Sequence, residues 1–497
     1  MNTDSILTIV AFGAYLIFML CIGMYFVGKN RTTSEYFLGG RSLGSWVTSM
    51  SAQASDMSGW LLMGLPGAAY LSGISAGWIA IGLAIGTYLN WLLVAKPLRQ
   101  YTKVADDAIT LPQFFKNRFK DESGMISVIA AIFILVFFLF YTASGFVSCA
   151  KLFSSVFGLP YLAALLIGAV VVISYTFAGG FFAVCWTDFF QGLLMFFCVL
   201  AVPTIAIGSM GGPSDFFAQV EAFNPDFLNM FVDGATHTPY TAIGIISLVA
   251  WGLGYFGQPH ILVRFMGIES PKAIKKSRRI ATVWVLISLT AAVMIGVSGR
   301  MFLGDGLLDI AGNEETIYIN MVSRIFPVFI AGIFLSAILA AIMSTADSQL
   351  LVTASAITED FYHNKIRPNA TEKELMWVSR GCVMAVAIIA VLIATNQDST
   401  VLLVEYAWAG FGSAFGPLVI CSLFWRRTNK YGAYAGIIVG GVVDLVWAQL
   451  SGGIFELYEI VPGFVCGLIA IIVVSLLTPA PEKEITDKFD TYRTCEE

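Results

Sequence analysis

Apolar residues come in long blocks along this chain, with polar residues gathered into short intervals between them. A helix that crosses the hydrocarbon of a bilayer needs roughly 20 such residues. About thirteen blocks approach that length, near 5–27, 46–70, 74–96, 125–151, 160–179, 188–209, 240–259, 280–303, 326–346, 376–397, 400–424, 431–450 and 457–478. The pattern predicts an all-α polytopic membrane protein, with 1–497 forming a single transmembrane domain. Two blocks break the pattern. Residues 51–67 read SAQASDMSGWLLMGLPG, and residues 251–261 read WGLGYFGQPHI.

Those breaks carry the first functional signal. An ionised Asp near a bilayer centre costs on the order of 2.5 kcal/mol or more. A continuous helix gains nothing by placing Asp56 there. An interrupted helix turns backbone carbonyls and an acid toward a cavity, where they can hold a cation. The second broken block begins five spans after the first, an odd number, so units that begin with them run in opposite directions through the membrane. This spacing predicts two repeats, about 46–209 and about 240–424, with extra helices at about 5–27, 431–450 and 457–478. The repeat rests on spacing and on the Gly/Pro breakers, since the halves share no strong residue identity.

Composition agrees. Charged residues make up 12% of the 497 and apolar residues 57%, against about 25% charged in soluble proteins. Lys and Arg fix an orientation, because they favour cytoplasmic loops. With the N-terminus outside and the C-terminus in the cytoplasm, 25 of the 28 basic residues fall on the inner side, Arg264 among them; Lys151, Arg300 and Arg324 are the others. The first apolar block lacks a preceding basic residue and a small-residue cleavage site, so it is expected to be retained. The eight cysteines form no CxxC pair, and His237, His260 and His363 are scattered. Neither a metal centre nor a nucleophile–base pair emerges, which argues against an enzyme. No Walker A pattern points to ATP. The polar tail after Thr478 is expected to be mobile.

Candidate chemistry gathers at the breaks. Sodium prefers hard oxygen ligands. Unwound carbonyls at Ala54 and Met57 supply some, with the hydroxyls of Ser55 and Ser58 as alternatives. Ser344 and Thr345, with Ala341, place adjacent hydroxyls at the end of an apolar helix, where they would complete an oxygen cage; small-residue helix packing is the alternative. Asp347 follows, either near the cation or in the cytoplasmic interface. Trp251 and Tyr255, four apart, share a helix face and would wall a pocket. Asp188 reads equally as a helix cap and as an ion-path residue. Arg41 would pair with an acid or anchor at the headgroups, and Glu405 and Asp444 are expected near the interfaces.

Seven stretches together resemble the sodium/solute symporter family, most nearly its bacterial proline-carrying branch. They are GGRSLG (39–44), the 51–67 text, TFAGGFFAVCWTDFFQ (176–191), WGLGYFGQPHI (251–261), SAILAAIMST (336–345), AITEDFY (356–362) and YAWAGFGSAFGP (406–417). The resemblance implies a leucine-transporter-like core of inverted five-helix repeats. It implies a sodium site at Ala54, Met57, Ala341, Ser344 and Thr345, with Asp56 needed for sodium affinity. It implies a proline pocket of Tyr141, Trp251, Tyr255 and Pro259 flanked by Ser58 and Gly59, and coupling roles for Arg41 and Asp188. The implied activity is sodium-coupled uptake of L-proline by alternating access across the bacterial cytoplasmic membrane, with Na+ as the co-transported ion and no nucleic-acid partner. The alternatives are a relative carrying another amino acid, a vitamin or a sugar, and a membrane sensor module without transport.

Overall fold

The computed structural model describes residues 3–27, 33–176, 180–309, 312–396 and 399–494. Lys29, Arg31, residues 177–179 of the third motif and Cys495 lie outside them. Helix dominates because each apolar block must satisfy its own backbone hydrogen bonds where no water reaches. Helix α1 (Thr3–Val27) leads through α2 (Thr33–Leu38) to α3 (Ser45–Met57) and, past a 3-10 turn, α4 (Gly64–Ser72). Helix α5 (Gly77–Leu89) runs through a π-helical turn into α6 (Ala95–Val104), and α7 (Leu111–Phe119) connects to α8 (Met125–Phe157), α9 (Tyr161–Thr176) and α10 (Phe181–Ser209). A long connection holds α11 (Pro213–Phe223) and a small antiparallel hairpin, β1 (Val232–Asp233) with β2 (Thr238–Pro239), in which Val232 faces Pro239.

The second interrupted segment is α12 (Ala242–Val249), a 3-10 stretch and α13 (Pro259–Gly267), the two helical halves bent by 43°. It is followed by α14 (Ile274–Leu303), α15 (Ile317–Ile325), α16 (Val328–Ser355), a π-helical stretch over 356–366, and α17 (Glu372–Ala394). Helices α18 (Thr400–Phe424), α19 (Lys430–Trp447), α20 (Ile460–Leu477) and α21 (Lys483–Thr494) complete the chain. Among the described residues, nine helical runs are long and apolar enough to span a membrane, or ten with the bent pair. The run from Gly59 to Val104 takes in the end of the block expected at 46–70 and the block expected at 74–96, with the backbone leaving helical geometry at Gly73, φ +78° and ψ −152°, between α4 and α5.

Burial separates centre from rim. In α18, 89% of the apolar window is enclosed, against 28% in α17 and 33% in α1. Helix α18 is therefore enclosed, packed against α8, α19, α20 and the 3-10 stretch over Ala250–Phe256, while Ile17, Leu392 and Leu477 expose apolar side chains outward. In a bilayer those residues meet lipid and need no other cover.

The tail departs from expectation. It forms helix α21, which buries Ile485, Phe489 and Tyr492. Those residues recur at helical spacing, an amphipathic signal that a charge-weighted reading passes over. Tyr492 stacks on Tyr101 at 4.2 Å and donates to the Leu423 carbonyl. Arg426 pairs with Asp490 at 2.8 Å, and Lys488 with Asp106 at 2.9 Å.

Candidate functional site

Helix α3 stops because its backbone reverses at Ser58, where φ is +48° and ψ −169°. A non-glycine residue held there stores roughly 1–3 kcal/mol of strain, and such outliers cluster at functional sites. Ser58 Oγ compensates in part by accepting from the Trp60 N–H at 3.2 Å. Gly59 follows because a Cβ at that position would lie 2.9 Å from Ser148 Oγ.

The last turn of a helix leaves carbonyls without intrahelical donors. Here they face side chains of other helices. The Ala54 carbonyl accepts from Ser344 Oγ at 2.8 Å. The Asp56 carbonyl accepts from the Tyr141 hydroxyl at 3.1 Å. Ser344 Oγ also lies 3.1 Å from the Ala341 carbonyl. Next to it Thr345 Oγ1 is buried with no hydrogen-bond partner among the described residues. The oxygens of Ala54, Ala341 and Ser344 thus meet at a helix break, with the Thr345 hydroxyl on the next residue, and such neutral oxygens suit an alkali cation. Met57 closes α3 and lines the neighbouring pocket.

The Asp56 side chain points the other way. Its carboxylate accepts from the Tyr255 hydroxyl at 2.5 Å. Around this pair lies a pocket lined by Asp56, Met57, Trp60, Leu83, Tyr141, Trp251, Tyr255, Val404 and Trp408, enclosing about 20 Å³. That space suits a water molecule and is too small for an amino acid. The 3-10 stretch over Ala250–Phe256 positions Trp251 and Tyr255. Gly254 permits it, since a Cβ would lie 2.0 Å from the Trp408 Nε1 atom. Trp408 Nε1 donates to the Trp251 carbonyl at 2.7 Å, and Asn90 Nδ2 to the Tyr255 carbonyl at 2.9 Å.

Of the residues the sequence singled out, Tyr141, Trp251 and Tyr255 line this pocket; Pro259, Ser58 and Gly59 do not. Pro259 opens α13, where its missing N–H costs nothing. Trp60 and Trp408 belong to the pocket and escaped the reading, because a lone aromatic in an apolar segment usually packs against lipid or core.

Asp188 sits well inside α10, past its first turn, so it is no helix cap. Its Oδ2 accepts from Ser51 at 2.7 Å, Ser55 at 3.0 Å and Arg264 at 3.2 Å. Arg264 is itself fully buried and does not join a cytoplasmic loop, as α13 carries it inward. Its Nε donates to Ser51 at 3.1 Å, its Nη1 to the His260 carbonyl at 2.6 Å, and its Nη2 to Ser348. Asp347 also departs from an interfacial position: it is wholly buried, with one oxygen 3.4 Å from Ser348 Oγ. Asp444 is likewise buried, accepting from Ser413 at 2.9 Å. Glu405 is half-buried.

Arg41 pairs with an acid and stands apart from the pocket. It reaches Asp107 at 2.9 Å, Thr102 at 3.2 Å and the carbonyls of Met266 and Ala108 at 2.7 and 2.9 Å. Beside it Leu43 N–H donates to the Gly267 carbonyl at 3.2 Å, and Glu269 N–H to the Leu43 carbonyl at 2.9 Å. The start of α3 is thereby tied to the end of α13.

A model of the sodium:solute symporter family matches residues 36–440. The chain is 48% identical over 494 residues to the sodium/proline symporter of Haemophilus influenzae, covering 97% of each. It is 47% identical to the high-affinity proline transporter of Bacillus subtilis, over 96% of this chain and 99% of that one. It is 47% identical to the sodium/proline symporter of Escherichia coli, over 97% and 95%. Among solved structures, a substrate-bound, outward-open sodium-coupled sialic acid symporter superimposes with a TM-score of 0.79 at 20% identity, over 96% of this chain and 99% of that one. A nucleobase-cation-symport-1 family transporter in a closed conformation gives 0.57 at 14%, over 93% and 99%. At those identities the two likenesses concern the fold alone.

Proposed function

Because the chain belongs to the sodium:solute symporter family, we propose that it carries L-proline into the cell together with sodium, by alternating access. Family and relatives are transporters, so the chain is a transporter and not an enzyme. The solute follows from the names of relatives that are 47–48% identical over nearly the whole length. The compartment in this proposal is the bacterial cytoplasmic membrane, supported by the apolar spans and by the bacterial sources of those relatives.

The observation that carries the coupling is the contact between Ser344 and the Ala54 carbonyl, at the break in α3. In this reading sodium replaces the Ser344 hydrogen bond and is held by the Ala54, Met57 and Ala341 carbonyls with Ser344 and Thr345. The free Thr345 hydroxyl supports that set. Asp56 supplies negative charge for sodium affinity, and its bond to Tyr255 joins ion to solute. Tyr141, Trp251 and Tyr255 wall the proline pocket, with Ser58, Gly59 and Pro259 shaping the backbone around it. An ion shared by α3 and α16 helps order the state that binds solute, and this is what coupling requires.

The architecture belongs to the same proposal. It has two inverted five-helix repeats, about 46–209 and 240–424, in some thirteen spans with the N-terminus outside. The backbone pairing of Leu43 with Gly267 and Glu269 supports a joint movement of the inner halves of α3 and α13. Arg41 and Asp188 would act in coupling by bracing those halves, Arg41 against α6 and Asp188 against α10 and α16. Proline is zwitterionic, so the ion carries the charge. One charge moving inward gains about 2.3 kcal/mol per 100 mV, or roughly fifty-fold accumulation.

The test is uptake of labelled L-proline into proteoliposomes with and without an inward sodium gradient. Sodium-dependent accumulation is expected. Uptake of another amino acid, a vitamin or a sugar in its place would reassign the solute, and binding without accumulation would favour a sensor.

A further inference from the structure

One ring that backs the pocket without lining it lies outside both proposed repeats. Tyr458 lies in the connection ahead of α20, and its ring sits 5.5 Å from the Trp251 indole at a tilt of 30°. Trp251 makes a similar contact with Trp60, at 5.4 Å and 27°. Trp251 therefore bears one near-parallel ring from the first interrupted segment and a second from the C-terminal helices. All three rings are buried.

Tyr458 is held from several directions. Its hydroxyl donates to the Glu405 carbonyl on α18 at 2.9 Å. Its N–H donates to Ser247 Oγ on α12 at 3.0 Å. The carbonyl of the preceding Leu457 accepts from Trp447 Nε1 on α19 at 2.9 Å. A phenol fixed at both hydroxyl and backbone is a rigid surface, and it adds contact at little cost in side-chain freedom. Trp251 is fixed too, through the bond from Trp408 to its carbonyl. The indole thus has little room to retreat while Tyr458 stays in place.

We infer that Tyr458 is a specificity-determining residue, which braces Trp251 as the wall that limits the transported solute to a small cyclic amino acid. The inference rests on the reading of Trp251 as part of the solute pocket. It brings helices α19 and α20 into substrate selection, although neither belongs to the repeats. In the proposed orientation the connection between them faces outside, on the side from which the solute enters. Selection by such a wall is steric. Removing the wall weakens the fit of the correct solute and admits a larger one.

The experiment compares the parent with Tyr458→Ala, Tyr458→Leu and Tyr458→Phe as full chains in proteoliposomes. KM and maximal rate are read for L-proline, with 4-phenylproline as a competing probe. Tyr458→Ala is expected to raise KM roughly two- to tenfold, the scale of one aromatic contact, with the maximal rate near the parent's. It should also let 4-phenylproline inhibit, which it should not do in the parent. Tyr458→Leu should behave alike and carries the test if the alanine variant does not accumulate in the membrane. Tyr458→Phe keeps the ring and should keep the parent's KM. The parent's KM and the exclusion of the bulky probe in both Ala and Leu variants would overturn the inference, as would a phenylalanine variant as impaired as alanine. A parent that takes up no proline contradicts the functional reading instead, so the two failures are told apart.

Discussion

Asp56 and Asp188 lie on adjacent helices, both withdrawn from solvent, and they are answered in different ways. Asp56 meets a phenol, the hydroxyl of Tyr255. Asp188 meets a guanidinium, that of Arg264, reinforced by Ser51 and Ser55. A neutral donor leaves the negative charge of its carboxylate to act on a mobile cation. A fixed cation consumes it. The first arrangement suits an ion that must come and go. The second pins α3, α10, α13 and α16 together.

The sharpest way to break this contrast is to unpair the pinned acid. Arg264→Ala leaves Asp188 and Asp347 buried without their cation, and such a loss costs about 3–5 kcal/mol. The expected outcome is a large fall in the melting temperature of the purified protein, largely recovered when Asp188→Leu accompanies Arg264→Met. A single variant that melts with the parent would show that the pair is no pin.

Asp56→Asn should do the opposite, sparing the fold and striking the ion. A hydrogen bond to a charged group is worth about 1.5–3 kcal/mol, so half-saturating sodium should rise at least about tenfold. Unchanged sodium dependence, alongside lost stability, would make Asp56 a second pin. Tyr255→Phe keeps the ring and removes the donor. It removes the same bond and should cost about 1.5 kcal/mol, the low end of that range, read as a roughly tenfold rise in KM for proline. A change in sodium dependence alone would mean that the phenol serves the ion and not the solute.

The exposed pairs of α21 give the baseline for both. Arg426 holds the Asp490 carboxylate below its ordinary value through their hydrogen bond, and Lys120 does the same to Glu484. A carboxylate depressed in the folded state stabilises it above the unfolded pKa, and that contribution fades as pH falls through the folded one. Protection of α21 in hydrogen exchange should therefore hold from neutral pH to about pH 4 and decline below it. Release of the helix between pH 5 and 7 would show that these pairs do not hold it.

The sequence revealed what charge and breakers can reveal. Asp56 announced itself because a carboxylate in an apolar block is costly, and Gly252, Gly254, Gly257 and Pro259 marked the second break. Arg264 was hidden because it lies at the end of such a block, where the next residues are basic and cytoplasmic. Its burial depends on how far α13 continues, and periodicity does not fix that. Asp444 was hidden for a similar reason, since only the packing of α19 against Ser413 shows that it is enclosed. Tyr458 and Trp60 could not be read as neighbours of Trp251, because ring contacts between distant segments leave no local pattern. The docking of α21 was legible in the spacing of Ile485, Phe489 and Tyr492, and its charges masked it.

The central claim is that an alkali cation sits between the broken end of α3 and the hydroxyls of α16. Its most direct test is the sodium concentration that half-saturates proline uptake by reconstituted protein, for the parent and for Ser344→Ala combined with Thr345→Val. Loss of two oxygen ligands, each worth about 1 kcal/mol, predicts a shift of roughly thirtyfold to higher sodium, with the melting temperature little changed. A double variant that takes up proline with the parent's sodium dependence would contradict the account.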